Sequence, residues 1–207
     1  MAAHPCPMHG YPMTSVAAFV SSIVVLLAVP GPTNSLLFLS GAELGFRRSL
    51  RLIAGETAGY LAVVVPLATA AAPLFENTLA ASFAKLAAAA WIMYLAAKLW
   101  RRGTTAPGVS SVTVGGLFVT TLLNPKALVI GLTIMPSGSP AEIAPWVFLF
   151  TGLLIMIAVC WIGAGAAAVL AARGRFDPSR MLSRTAAIVL AAFSLFMITS
   201  IAGIAWR

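Results

Sequence analysis

The chain has 207 residues, of which 60% are hydrophobic and only 9% are charged, and its mean hydropathy is +0.99. This composition excludes an ordinary soluble globular domain, in which about a quarter of the residues are charged. The net charge of +8 does not indicate a nucleic-acid partner, because the basic residues form no patch interleaved with polar surface.

Residues 1–13 precede the first long apolar run, and we expect them to be disordered or to lie ahead of a true start at Met13. They contain no Lys or Arg, so they lack the basic flank of a cleaved signal peptide. Beyond them, no linker rich in Pro, Gly or Ser divides the chain. Residues 14–207 are therefore predicted to form a single transmembrane translocator domain.

Six apolar runs follow the tail, and several exceed the roughly 20 helical residues needed to cross the hydrocarbon core of a bilayer. They cover about residues 14–41, 52–75, 79–99, 113–135, 143–172 and 185–206. We therefore predict an all-α integral membrane protein with six transmembrane helices.

The first run is interrupted by prolines, in the segment Val29-Pro30-Gly31-Pro32-Thr33-Asn34. Proline has no N–H and its ring clashes with the carbonyl four residues back, so the helix breaks there. Freed backbone groups cannot face lipid, and the break therefore predicts a polar interior near the middle of the membrane. The half-helix beyond it exposes N–H groups at the positive end of its dipole, beside Thr33 and Asn34, and such an end suits a carboxylate.

The second run carries Glu56, the acidic residue best placed within a hydrophobic segment, with Tyr60 one turn later. Two interpretations of Glu56 stay open. It lies about one turn from Arg51 and serves the cytoplasmic interface, or it faces inward and pairs with Lys126 of the fourth run.

Glycines at helical spacing indicate close packing in two of the runs. Gly55 and Gly59 form a GxxxG pattern in the second run, and Gly163 and Gly165 lie among alanines in the fifth. Such residues let two helix backbones approach closely. We assign them to packing rather than to chemistry.

The fourth run is interrupted at Leu123-Asn124-Pro125-Lys126. Pro125 releases the backbone carbonyl of Thr121 from the helix ladder. Lys126 stands about 13 residues into the run, roughly 20 Å along a helix, which is deep for its ammonium to reach water. A cation sits poorly at the positive end of a half-helix, so Lys126 needs an anionic partner and is a functional candidate. Proline also kinks many membrane helices that bind nothing, and for either break alone this alternative stays open.

Basic residues fall in alternate loops, so they share one side of the membrane. By the positive-inside rule these loops are predicted to be cytoplasmic and both termini to face outward. The intervening loops hold Glu76 and Glu142. The basic loops contain Arg47, Arg48, Arg51, Lys98, Arg101, Arg102, Arg173, Arg175, Arg180 and Arg184.

The two interrupted runs are the first and the fourth, which are corresponding positions if the protein consists of two three-helix halves. Because three is odd, the second half would enter the bilayer from the opposite side. The positions of the breaks therefore predict a 3+3 inverted repeat, an arrangement common in secondary transporters.

Three motifs together resemble the lysine exporter (LysE/RhtB) family of bacterial inner-membrane translocators, over about residues 14–207. Family members carry a PGPN-like motif, a small-residue and basic first loop, and an NPKA-like motif. The corresponding segments here are Pro30-Gly31-Pro32-Thr33-Asn34, Gly45-Phe46-Arg47-Arg48-Ser49 and Asn124-Pro125-Lys126-Ala127. The resemblance implies efflux of amino acids or related metabolites, driven by an ion gradient, by a homo-oligomer in the bacterial cytoplasmic membrane. It makes Pro30, Pro32, Asn34, Asn124, Pro125 and Lys126 the central functional positions.

The chain departs from the family pattern at three places. Thr33 is inserted ahead of Asn34, and Tyr60 stands where an acidic residue is common. After the fourth run, Met135-Pro136-Ser137-Gly138 replaces the usual exit sequence. These departures leave the expected fold intact and the identity of the substrate open.

The predicted function is therefore export of an amino acid or related metabolite by ion-coupled alternating access, with the proton as the expected coupling ion. We expect the substrate carboxylate to meet the half-helix ends and Lys126, while Glu56 pairs with Lys126 or receives an amino group or a proton. Tyr60 would contribute a hydroxyl. The predicted substrate-binding set is Pro30, Gly31, Pro32, Thr33, Asn34, Glu56, Tyr60, Asn124, Pro125 and Lys126.

A channel or an ion or metal transporter that uses the same polar breaks is the alternative function. An enzyme is not expected, because no His lies in any apolar run and no HExxH motif is present. We predict no cofactor and no bound metal.

Overall fold

The computed structural model describes residues 15–71, 78–101, 112–171 and 178–205, and within these ranges the chain is predominantly helical and contains no strand. The predicted tail, 1–13, lies outside the described residues. The same holds for Glu76, Arg102, Arg173 and Arg175 of the predicted loops.

Nine α-helices lie in the described ranges, and each predicted apolar run corresponds to one long helix or to a broken pair. Two π-helical turns, Leu67–Ala71 and Ile130–Ile134, continue α4 and α7. The α-helices are α1 Val16–Ala28, α2 Pro32–Leu44, α3 Phe46–Ser49, α4 Leu52–Pro66, α5 Thr78–Trp100, α6 Val114–Leu122, α7 Pro125–Val129, α8 Pro140–Ala171 and α9 Pro178–Ala205.

Side-chain oxygens cap the starts of several of the helices. Ser15 accepts a hydrogen bond from the backbone N–H of Ala18 in α1, and Thr113 does the same for Gly116 in α6. At the start of α8, Glu142 Oε2 accepts from both the backbone N–H and the hydroxyl of Ser139, each at 2.8 Å. The Glu142 carboxylate thus satisfies the Ser139 N–H just ahead of the longest helix, while the backbone N–H of Glu142 donates to the carbonyl of Ser139.

Two stretches of the described chain are long and apolar enough to cross a membrane as single helices, namely Phe46–Thr69 and α8. Two further pairs pass the same test jointly but are bent, α1 with α2 by 63° and α6 with the segment from Pro125 to Ile134 by 50°. The structure thus confirms an all-helical protein with two to four candidate membrane spans. The count of six spans and the inverted repeat stay predictions.

Close backbone contacts hold α2 against α8 and α4 against α6. A Cβ at Gly165 would overlap the backbone of Phe38, and one at Gly41 would overlap that of Ile162. In the second pair, a Cβ at Gly59 would lie 2.8 Å from the Phe118 carbonyl. Small residues therefore set the separation of these helices, as predicted.

Gly55 and Gly163 behave differently from each other. A Cβ at Gly55 would overlap the Val114 carbonyl, so the predicted GxxxG contact is confirmed at both of its glycines. A Cβ at Gly163 would meet only the Phe46 ring, at 3.8 Å, which is ordinary van der Waals contact. The prediction of tight packing at Gly163 was therefore wrong.

The apolar core consists of two clusters, and one of them surrounds the two helix breaks. Its buried side chains come from α1, α4, the segment after Pro125, and α8. Tyr60 belongs to this cluster and packs edge-on against Phe150, with ring centroids 5.8 Å apart. The breaks are therefore held by packed helices on several sides. Other large buried side chains of this cluster are Phe19, Ile23, Leu27, Val64, Ile130 and Leu154.

Candidate functional site

The two helix breaks, 91 residues apart in sequence, lie against each other. Asn124, between α6 and α7, donates a hydrogen bond from Nδ2 to the hydroxyl of Thr33 at the start of α2, with a length of 3.0 Å. Both side chains are buried. The bent pairs α1–α2 and α6–α7 thus meet at their bends and form one polar cluster.

The Asn34 side chain hydrogen-bonds to the backbone of the first break. Its Nδ2 donates to the carbonyls of Leu27 and Val29, at 2.7 and 2.9 Å. Both N–H groups of this amide are therefore used on the end of α1, where carbonyls lack helical partners. Asn34 holds the shape of the break, and its amide donors do not face a binding space.

The Asn124 side chain makes hydrogen bonds at the second break. Its Oδ1 accepts from the backbone N–H of Lys126 and so caps α7, while Nδ2 also lies 3.5 Å from the hydroxyl of Tyr60. The carbonyl of Thr121, which Pro125 leaves without its usual helical donor, accepts from the backbone N–H of Asn124 at 3.0 Å. One amide side chain thereby ties together α7, α2 and α4.

Lys126 lies across the first break. Its side chain is only 8% exposed, and Nζ donates a short hydrogen bond to the carbonyl of Val29. Both Nζ and Cε lie 3.3 Å from the position that a Cβ of Gly31 would occupy. The ammonium thus sits at the carboxyl end of α1, where the helix dipole is negative. The glycine at position 31 leaves the room for it.

Glu56 is 2% exposed and faces the interior, not the interface beside Arg51. Glu56, Lys126 and Tyr60 lie close enough together to interact electrostatically. Oε2 of Glu56 has no hydrogen-bond partner. The burial of Glu56 agrees with the inward interpretation, but within the described residues Glu56 and Lys126 form no direct ion pair, so the pairing that this interpretation included is not seen.

The structure therefore brings most of the predicted set together. Gly31, Thr33, Asn34, Tyr60, Asn124 and Lys126 are linked by direct contacts, and Glu56 joins them electrostatically. The three prolines act on the backbone: Pro32 and Pro125 each begin a half-helix. Pro30 is exposed and lines no interior space.

Two hydroxyls of this region were not among the predicted site residues. Thr121 and Thr57 each bury a hydroxyl oxygen that has no hydrogen-bond partner, and Thr121 also packs against Gly59. The signal was present, since Thr120 and Thr121 form a polar pair in an apolar run just before the second break. Sequence alone did not say which of these hydroxyls faces inward.

A buried cation, a buried carboxylate with an unpartnered oxygen and several hydroxyls are costly to keep in an apolar protein unless they bind something. The set combines a basic and an acidic side chain with several hydroxyls in one buried region. Among the residues that the structure describes, no group of three His, Cys, Asp or Glu side chains is placed to hold a metal ion.

Comparison with known proteins identifies relatives. No family model matches the chain, and no solved structure matches it significantly. The cysteine/O-acetylserine efflux proteins of Escherichia coli K12 and of Shigella sonnei Ss046 are each 29% identical to it over 161 residues, which is 73% of this chain and 83% of the relative. These relatives are named as efflux proteins, that is, as transporters and not enzymes. The match supports the resemblance to the LysE/RhtB family of amino-acid exporters that the three sequence motifs indicated.

Proposed function

We propose that the protein is a secondary transporter that exports a small amino acid, or a metabolite closely related to one, across the bacterial cytoplasmic membrane. The observation that carries the proposal is the meeting of two broken helices around buried Lys126 and Glu56. Relatives named for efflux of cysteine and O-acetylserine support the substrate class. Both of those solutes are zwitterions with small side chains.

The binding mode follows from the charges at the breaks. The substrate carboxylate binds the ammonium of Lys126 and the first free N–H groups of α2, whose Gly31 cap supplies no side-chain hydrogen bond. Lys126 exchanges the carbonyl of Val29 for the substrate. Glu56, with its unpartnered oxygen, receives the substrate ammonium. Tyr60 and Asn124 form the polar wall between these two ends.

In the membrane, the chain crosses six times, with the basic loops in the cytoplasm and both termini outside. The two bent pairs, at 63° and 50°, support two halves with inverted topology, each contributing one broken helix to the site. Transport proceeds by alternating access, as these halves rock about the contact between Thr33 and Asn124. Glu56, which receives the substrate ammonium, also takes up and releases the coupling proton, because its carboxyl group is buried between the broken helices.

Efflux from preloaded cells tests the proposal. Cells that express wild type, Lys126→Met or Arg48→Met are loaded with labelled O-acetylserine, cysteine and other small amino acids, and the rate of release is followed. We expect saturable release by wild type, and a release at least about ten-fold slower for Lys126→Met, since a buried charged hydrogen bond is worth roughly 1.5–3 kcal/mol. Arg48→Met removes an exposed cation and should release at the wild-type rate.

Two outcomes would overturn the proposal. If no amino acid leaves faster than from empty-vector cells, the exporter function is wrong. If Lys126→Met exports normally, the site is wrong. A channel through the same breaks would show release that does not saturate with substrate concentration.

A further inference from the structure

A groove lies between α5 and α6, apart from the helix breaks. It has a volume of about 510 Å³, within the roughly 300–1,000 Å³ of ligand pockets. Leu36 of α2 and Trp91 of α5 line it, and the indole N–H of Trp91 donates to the hydroxyl of Thr120 of α6 at 3.0 Å. Gly115 lines the groove, and a Cβ there would meet nothing within 4 Å. The groove is therefore an open space between two helices.

The walls of the groove change from apolar to cationic along α5. Trp91 and Leu95 lie at one end, and Lys98 lies two turns from Trp91, about 10 Å along the helix. Beyond Lys98, a second cavity of about 380 Å³ continues to Arg101. Tyr94, 55% exposed, lines both cavities, with its ring centroid 6.0 Å from the Lys98 ammonium.

A ligand that binds in this groove would have to supply the negative charge that neutralises the two cations. Among the described residues that line the two cavities there is no Asp or Glu, while Lys98 and Arg101 supply two cations. A second copy of this chain is a poor source of that charge, because the chain has 13 basic and 5 acidic residues and Glu56 is buried. An anionic phospholipid matches both ends: its acyl chain suits the apolar end, and its phosphate suits the cations at the level of interfacial aromatic residues.

We propose that the groove between α5 and α6 binds an anionic phospholipid, with an acyl chain along Trp91 and Gly115 and the phosphate at Lys98 and Arg101. The proposal rests on the membrane location in the proposed function but not on any transported substrate. The lipid would brace α5 against α6 beside the second broken helix.

Native mass spectrometry of the purified full-length protein tests this site. Phosphatidylglycerol and phosphatidylcholine with the same acyl chains are titrated, and the bound lipids are counted. We expect wild type to prefer phosphatidylglycerol, and Lys98→Gln to weaken phosphatidylglycerol binding about five-fold, because one interfacial Lys or Arg contributes about that factor. Arg48→Gln removes an exposed cation elsewhere and should change nothing.

A second pair of variants tests the groove itself. Gly115→Leu adds a side chain to the groove, with a Cβ that meets no atom within 4 Å, and should abolish the preference for phosphatidylglycerol. Gly152→Leu adds the same side chain to an exposed position of α8 with nothing within 4 Å, and should bind lipid like wild type.

Equal binding of the two lipids by wild type, or wild-type binding by both Lys98→Gln and Gly115→Leu, would overturn the lipid site. Loss of a dimer peak rather than of bound lipid in Gly115→Leu would show that a second copy occupies the groove. Because lipids are counted directly, failure here and failure of the efflux assay are separate results.

Discussion

The contact between the two breaks gives a quantitative prediction, because Asn124 and Thr33 are buried and joined by a single 3.0 Å hydrogen bond. Asn124→Ala removes the α7 cap, worth about 1 kcal/mol, and at least one net hydrogen bond of similar size, so we expect a loss of about 2–3 kcal/mol in the free energy of unfolding. Thr33→Val leaves one N–H of Asn124 without its acceptor and should cost about 1–2 kcal/mol.

The double variant decides whether the breaks interact. If they do, Asn124→Ala with Thr33→Val is less destabilised than the sum of the single changes by about 1 kcal/mol. Reversible unfolding in lipid bicelles measures the three free energies. The control is Ser21→Ala, which removes an exposed hydrogen bond within α1 and should add independently to Asn124→Ala. Strict additivity in the Asn124–Thr33 pair would refute the claim that the broken helices are joined there.

Three further predictions follow from single side chains. Glu56→Gln should abolish the dependence of the efflux rate on the proton gradient, and efflux unchanged at every pH would exclude Glu56 as the proton carrier. Gly165→Leu should lower the yield of folded protein and its melting temperature, because a Cβ there overlaps the backbone of Phe38 and overpacking costs at least about 1–3 kcal/mol, whereas Gly152→Leu should melt like wild type. Glu142→Gln should cost about 1 kcal/mol in thermal unfolding by weakening the cap at Ser139, and an unchanged melting temperature would show that this cap contributes nothing.

The helix breaks could be predicted because proline acts locally. Pro32 and Pro125 each begin a half-helix, and the bends of 63° and 50° lie where the sequence indicated. The close helix contact at Gly55 and Gly59 could also be predicted from the sequence, because their spacing places both residues on one helix face. Gly163 shows the limit of this reasoning, because it lies only two residues from Gly165, on a different side of α8, and faces a side chain instead of a backbone.

The contacts between the breaks could not be predicted in the same way. Which atom of Asn124 faces Thr33 depends on how α6 and α7 are rotated against α2, and that rotation is set by packing far from the motif. The role of Asn34 could not be predicted either. Its position in the motif indicated a binding role, yet its amide donors are used on the carbonyls of Leu27 and Val29.

Lys126 shows how the fold changes an electrostatic argument drawn from sequence. A cation at the start of α7 opposes the dipole of that half-helix, which is why an anionic partner was expected. In the structure the side chain reaches back to the carboxyl end of α1, and the carbonyl of Val29 there presents the negative end of a different dipole. Glu56 is consequently not needed as a permanent ion-pair partner, which leaves its carboxylate oxygen unpartnered. A site that held a fixed Lys126–Glu56 pair would have to break it for each substrate, whereas a carbonyl and a free carboxylate can both be exchanged for the two ends of a zwitterion at smaller cost.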